Sequence, residues 1–390
     1  MKDPISQICR ELKPSGIRKF FDVVSEMPDA ISLGVGEPDF DTPWHIREEG
    51  IYSLEHGRTY YTSNAGLKEL KQEICRYLRR KYDLYYEEGQ VLVTVGGSEA
   101  IDLAMRAMLD PGDEVLLPEP CYVSYLPCAK LVHAKPVTIP LQEANEFQLT
   151  AEEVLAACTE KTKMLVLPFP NNPTGAVLSR ENLEAIAKVC IEKDIYVVSD
   201  EIYAELTYGQ KHVSIGSLPG MAERTIVING FSKAFAMTGW RLGYAAGPRA
   251  IIEQMIKIHQ FAIMCAPTTS QYAAIEALRS GDDDVEHMTE AYNQRRRYLL
   301  HELRRMGLEC FEARGAFYVF PSIKKFGMSA DEFCTRLLME QKVAVVPGTA
   351  FGDSGEGYIR ISYAYSLESL KKALARVEAF VKNLPVTDRG

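Results

Sequence analysis

From about residue 90 to residue 250 the chain alternates short β-branched apolar runs with helix-like segments, the pattern of parallel strands joined by helical crossovers. Six runs read as strands: Val91–Val95, Glu114–Leu117, Lys163–Leu167, Ile195–Ser199, Thr225–Asn229 and Leu242–Ala246. Most are apolar at successive positions, so both of their faces are expected to lie under helices. Helix starts are marked at Thr150-Ala151-Glu152-Glu153 and Ser329-Ala330-Asp331-Glu332, where a hydroxyl is followed three residues later by a glutamate, the spacing of a capping box. Near the end of the chain Leu367, Leu370, Leu374, Val377 and Val381 recur at helical spacing. That face should pack on strands near Phe317–Phe320 and Tyr358–Ser362 to form a smaller α+β domain.

No internal repeat, low-complexity tract or long linker interrupts this pattern. The polar run Ser280-Gly281-Asp282-Asp283-Asp284 is the candidate hinge. It divides the chain into a large domain over 45–284 and a small domain built from 1–44 and 285–390.

At 390 residues and 46% hydrophobic content the chain can bury a core large enough for two domains. The 44 basic and 53 acidic residues give a net charge of −9, which opposes a nonspecific nucleic-acid or anionic-membrane role and still allows a local basic pocket for a small anion. Nine scattered cysteines without a CxxC pair indicate neither a disulfide framework nor a zinc ribbon, so a reducing cytoplasm is expected and no metal site. The first twenty residues are charged throughout and lack the apolar core of a signal peptide, and no later stretch is apolar for long enough to cross a bilayer.

The segment Gly230-Phe231-Ser232-Lys233-Ala234-Phe235-Ala236-Met237-Thr238-Gly239-Trp240-Arg241 carries the sharpest chemical signal. Desolvation among Phe231, Phe235 and Met237, with Arg241 nearby, would disfavour the ammonium form of Lys233, and a neutral amine attacks carbonyls. Arg241 keeps its charge, and its planar fork suits a phosphate. The plainer reading is a surface lysine ahead of a buried strand.

Other segments add to it. Val95-Gly96-Gly97-Ser98 leads from a strand into a helix and leaves backbone N–H groups free for an anion, although such turns are also ordinary structure. Asp200 follows a buried strand, where open parallel sheets bind ligands. It could keep a pyridine nitrogen protonated or simply cap a helix. Tyr203 and Asn172, the latter in Pro170-Asn171-Asn172-Pro173, could hydrogen-bond a phenolic ring oxygen, and Tyr122 could stack on a ring; each could equally be core or turn. Strand alternation places Arg360 on one face with Tyr358 and Ser362, where it needs an anion: an internal carboxylate or the α-carboxylate of a substrate. Gly36, in Leu33-Gly34-Val35-Gly36-Glu37-Pro38, supplies a loop that could close over a substrate or be merely a turn.

Taken in order, these segments resemble the class I and II aminotransferases of pyridoxal-phosphate fold type I, nearest the aspartate and aromatic branch. The resemblance runs from Ser15-Gly16-Ile17-Arg18 through Gly36-Glu37-Pro38-Asp39-Phe40, Asn172-Pro173-Thr174-Gly175, Ser199-Asp200-Glu201-Ile202-Tyr203, the Lys233 segment and Gly315-Ala316-Phe317-Tyr318 to Val345-Val346-Pro347-Gly348 and Arg360. It implies an α/β fold with a mostly parallel sheet of the seven-stranded type covered by helices on both faces, plus the smaller α+β domain. It also implies that Lys233 carries the internal aldimine of pyridoxal 5'-phosphate, that Asp200 holds the pyridine nitrogen, and that Asn172 and Tyr203 contact the ring oxygen. Tyr122 would stack on the ring, while Gly97, Ser98 and Arg241 would hold the phosphate. Arg360, Gly36 and Asn172 would bind the substrate. The resemblance further implies a homodimer with shared active sites, in which Tyr61 reaches the partner subunit's phosphate.

Two positions depart from many relatives: Gly230 stands in place of a phosphate-binding serine, leaving the part of Ser232 open, and Tyr125 in place of a histidine that supports the aspartate. Gln260-Phe261-Ala262-Ile263-Met264-Cys265 also lacks the arginine that grips a distal carboxylate in some aspartate-specific relatives. The expected activity is therefore transfer of an amino group from an aromatic or other neutral L-amino acid, with aspartate still open, to a 2-oxo acid such as 2-oxoglutarate. A C–S lyase or synthase on the same scaffold is the nearest rival. A cofactor-sensing regulator would need a DNA-binding appendage, and the chain begins almost directly with the enzyme-like region.

Overall fold

Apolar residues at successive strand positions are divided between the two faces of one sheet. The computed structural model describes residues 3–14, 16, 27 and 29–386, so Ser15, Ile17 and Arg18 of the N-terminal motif lie outside the described residues. Its strands are β1 (Ile31–Ser32), β2 (Val91–Thr94), β3 (Glu114–Glu119), β4 (Lys135–Pro140), β5 (Thr162–Leu167), β6 (Tyr196–Asp200), β7 (Thr225–Gly230), β8 (Gly243–Ala246), β9 (Tyr318–Val319), β10 (Val343–Ala344), β11 (Val346–Pro347) and β12 (Ile359–Ser362). Strands β2 to β8 form a seven-stranded sheet in the order β2-β8-β7-β6-β5-β3-β4.

On one face Leu92, Val115, Val198, Ile228 and Ala245 pack with Ala104 and Met105 of the helix Gly97–Met108 and with Ile252 and Met255 of the helix Arg249–Ala262. On the other, Val91, Val93 and Val227 meet Leu70 and Ile74 of the helix Lys68–Tyr82, and Leu165 and Val197 meet Leu183 and Ile186 of the helix Arg180–Glu192. Each of these leucine, isoleucine, valine and methionine side chains contributes on the order of 2 kcal/mol on leaving water.

All the sheet pairings are parallel except those of β8, which runs antiparallel to both β2 and β7. The sequence pattern had placed Leu242–Ala246 among the parallel strands. The link from Gly230 to Gly243 contains only turns, and a parallel return needs a longer crossover. The reversal matters for chemistry, because the amino end of β8 lies where its neighbours end. Strand β4 is absent from the sequence-based strands because it is a half-exposed edge containing two prolines, without a continuous apolar run.

The second layer is built on the three-stranded sheet β11-β12-β9 and the parallel pair β1-β10. The helix Leu367–Lys382 buries Leu370, Leu374, Val377, Phe380 and Val381 in this cluster, whereas Leu367, expected on the same stripe, is exposed. The capping box at Thr150 forms in both directions. At Ser329 the hydroxyl accepts from Glu332 N (3.2 Å), while Glu356 Oε1 takes the Ala330 N–H. The polar run at 280–284 is not a loop: Ser280 ends one helix and Asp282 begins the next, with Gly281 between them.

Candidate active site

Because β2, β3, β5, β6 and β7 point the same way, the segments that follow them meet at one edge of the sheet, and β8 brings Arg241, two residues before its start, to that edge from the other direction. Together they line a cleft of about 600 Å³. Gly36, Gly97, Ser98, Tyr122, Asn172, Asp200, Tyr203, Lys233, Arg241 and Arg360, all singled out from the sequence, lie on its wall, as does Ser232. Tyr61 does not; it is 82% exposed on the outer surface.

Lys233 is not a surface lysine. Its Nζ donates to Gly36 O (2.6 Å) and lies over the rings of Tyr203 (5.8 Å) and Phe317 (5.7 Å). Phe231, Phe235 and Met237 belong instead to the core packed against β2 and β7. Burial lowers the lysine pKa to about 8, opposed by Glu37 and Asp200 and assisted by Arg360 and Arg241. The reactive species is the neutral amine, so its fraction grows as pH rises through about 8. The second-order rate of capture of pyridoxal phosphate by the cofactor-free chain should therefore rise to a plateau with that midpoint. A rate still climbing toward pH 10 would show a lysine of ordinary basicity.

Asp200 ends β6 and is buried. Desolvation raises its pKa, while hydrogen bonds from Tyr125 Oη (2.7 Å) and Ile202 N (3.2 Å) pull the other way. A carboxylate so placed gains from a cationic partner supplied through the cleft. Tyr203 Oη and Tyr318 Oη are 2.8 Å apart.

Arg360 is almost fully buried between the rings of Tyr318 (4.4 Å from the guanidinium carbon) and Phe351 (4.8 Å). It donates through Nη1 to Asn172 Oδ1 (2.8 Å) and through Nη2 to Gly34 O, and its buried Nε has no hydrogen-bond partner. No carboxylate of the chain forms an ion pair with it among the described residues, so its charge is available to an incoming anion.

On the opposite wall Gly96 has φ 81°, and a Cβ there would come within 2.7 Å of Arg241 Nη2. Arg241 itself has φ 53°, a left-handed conformation that costs a non-glycine residue roughly 1–3 kcal/mol. The strained turn brings its guanidinium beside the first N–H groups of the helix Gly97–Met108, an arrangement suited to a phosphate.

The donor set thus fits pyridoxal phosphate: an amine of lowered basicity, a buried carboxylate, a guanidinium beside a helix start and a second guanidinium without a counter-ion. Sequence reasoning assigned no role to Tyr318 or Glu37, which also line the cleft. Both lay inside quoted motifs, and in β9 the period of two sets Tyr318 opposite Val319.

The family model for aminotransferases of class I and II matches residues 28–377. An aspartate aminotransferase of Pyrococcus abyssi is 47% identical, the alignment covering 96% of this chain and 98% of the relative. An aromatic-amino-acid aminotransferase of Thermococcus litoralis is 44% identical over 97% of this chain and 98% of its own. The crystal structure of an aromatic aminotransferase from Pyrococcus horikoshii superposes with a TM-score of 0.89 at 44% identity, covering 93% of this chain and 98% of that one.

Proposed function

The chain belongs to the pyridoxal-phosphate-dependent class I and II aminotransferases, and on that premise we propose that it moves the amino group of an aromatic or other neutral L-amino acid to a 2-oxo acid such as 2-oxoglutarate. The observation that carries the substrate reading is the distribution of charge in the cleft. Its cations are Lys233, Arg241 and Arg360, and the remaining wall includes Ile101, Ile202, Tyr122, Tyr318, Pro168 and Pro170. With those three cations engaged by the amine chemistry, the phosphate and the α-carboxylate, the described residues of the cleft wall offer none to a distal acid.

When bound, pyridoxal phosphate supplies an aldehyde for the substrate amine and a protonated ring that accepts the electron pair left at the substrate carbon. Arg241 with the N–H groups of Gly97 and Ser98 holds the phosphate. Asp200 would keep the ring nitrogen protonated, Asn172 and Tyr203 would take the ring oxygen, and Tyr122 would stack on the ring. Arg360 clamps the α-carboxylate as a fork beside Asn172 and Gly36. Lys233 would be the base that takes the proton from the substrate Cα.

The active unit is a homodimer. Tyr60 (81%), Tyr61 (82%) and Phe261 (87%) are large apolar side chains left in water by a single chain. Asn64 Nδ2 to Met264 O and Thr268 Oγ1 to Tyr60 O join their two segments into one surface, which a second copy would cover while bringing Tyr61 to its neighbour's phosphate. The segments 1–44 and 285–390 act as the smaller domain against 45–284. No helix among the described residues is long and apolar enough to cross a membrane. The chain's nine free cysteines suit a reducing, cytoplasmic setting.

A donor panel with 2-oxoglutarate and with pyruvate as acceptors tests this. Phenylalanine, tyrosine or leucine should exceed aspartate by at least roughly tenfold in kcat/KM. Aspartate leading the panel would overturn the donor assignment. Pyruvate released from cysteine-type substrates, with no amino transfer from any donor, would instead favour the lyase.

A further inference from the structure

The phosphate-binding turn is tied from behind by a partly buried carboxylate and a fully buried histidine that none of the roles above employs. Glu99 is the third residue of the helix Gly97–Met108, and its carboxylate folds back so that Oε2 accepts from the Val95 N–H. The other oxygen, Oε1, accepts from Nδ1 of His259 at 2.7 Å. His259 comes from the helix Arg249–Ala262, is fully buried, and has no hydrogen-bond partner at Nε2. Thr94 Oγ1 meanwhile donates to Gly96 O (2.9 Å). The inward-facing polar groups of the turn are therefore consumed within the fold, while the N–H groups of Gly97 and Ser98, at the start of the helix, have no intrahelical acceptor.

A carboxylate in this place needs restraint. It sits one residue from Ser98, where an unpaired negative charge would repel a phosphate, and a buried acceptor that loses its donor is driven to find another. His259 is the group that the structure provides for it.

We propose that Glu99 and His259 are positioning residues for the cofactor phosphate: His259 Nδ1 fixes the Glu99 carboxylate, the carboxylate fixes the Val95 N–H, and the turn is held with its free N–H groups toward the cleft. This rests on the assignment of Gly97, Ser98 and Arg241 to the phosphate.

Two substitutions of similar polarity separate positioning from mere packing. His259→Asn places its amide nitrogen where Nδ1 stood; His259→Gln places it nearer the position of Nε2, away from Glu99. The dissociation constants of pyridoxal phosphate and of pyridoxal, which lacks the phosphate, are measured on the full-length chain freed of cofactor. His259→Gln should weaken pyridoxal phosphate roughly tenfold to a hundredfold, the range for a buried acceptor left unpaired. Pyridoxal should bind as it does to the unaltered chain, and His259→Asn should restore most of the loss.

A general packing defect would weaken both ligands alike and overturn the proposal, as would a Gln variant whose preference for the phosphorylated ligand is unchanged. Arg241→Gln serves as the reference. If it too leaves that preference intact, the phosphate assignment itself fails. If it reduces the preference while His259→Gln does not, only the role of the Glu99–His259 pair is lost.

Discussion

Replacing Lys233 by alanine is expected to lower amino-transfer turnover by roughly 10⁴-fold or more, since a positioned acid–base group alone contributes up to about that factor and this residue is also the nucleophile. The fold should tolerate the change. Lys233 faces the cleft, and among the described residues its Nζ hydrogen-bonds only Gly36 O, which also lines the cleft. Truncation therefore enlarges the cleft without opening a hole in the core. The cofactor should still bind, because the groups assigned to its phosphate and ring nitrogen remain, although it would no longer be attached. Single-turnover conversion of an L-amino acid reads the chemical step directly. Borohydride treatment of the unaltered, cofactor-loaded protein should mark Lys233 alone, and the alanine variant should yield no labelled peptide. Turnover within tenfold of the unaltered protein would remove Lys233 from the mechanism.

Much of this site was legible in the sequence because strand ends are. Val91, Leu116, Val166, Val198 and Ile228 lie in runs apolar at successive positions, and whatever follows such a run in a parallel sheet must emerge at its carboxyl edge. Asp200 and Asn172 were found that way, and Lys233 from the apolar, glycine-flanked segment around it. Arg241 was found from its spacing to Lys233, but the reason it reaches the site is the reversal of β8, which depends on the pairing of strands far apart in sequence.

What the sequence concealed was mostly contact at a distance. Glu99 and His259 are 160 residues apart, and nothing local distinguishes His259 from any other histidine on a helix that packs with one face. The bond between Tyr203 and Tyr318 spans 115 residues. Tyr125 was visible as a departure from relatives, yet only the fold shows that its hydroxyl meets the same carboxylate a histidine would have met.

That last contact shapes the other large effect. Asp200→Asn keeps the size and the ability to accept from Ile202 N, but removes the negative charge, so kcat should fall by roughly 10²–10⁴, the equivalent of the ~3–5 kcal/mol seen when one partner of a buried ion pair is lost. The KM for the amino donor should change much less, because the carboxylate clamp at Arg360 is held independently by Asn172, Gly34 and two aromatic rings. Tyr125→Phe separates the charge from its support. Burial raises the pKa of Asp200, and the Tyr125 hydroxyl is one of the two donors that lower it. Deleting that donor raises the pKa further, and since the ionised form is the working one, the acid limb of the rate profile should move to higher pH with the plateau nearly kept. A Tyr125→Phe profile that superposes on that of the unaltered protein would mean that Asp200 is held ionised by the bound ring alone; full activity in Asp200→Asn would mean that its charge is not used.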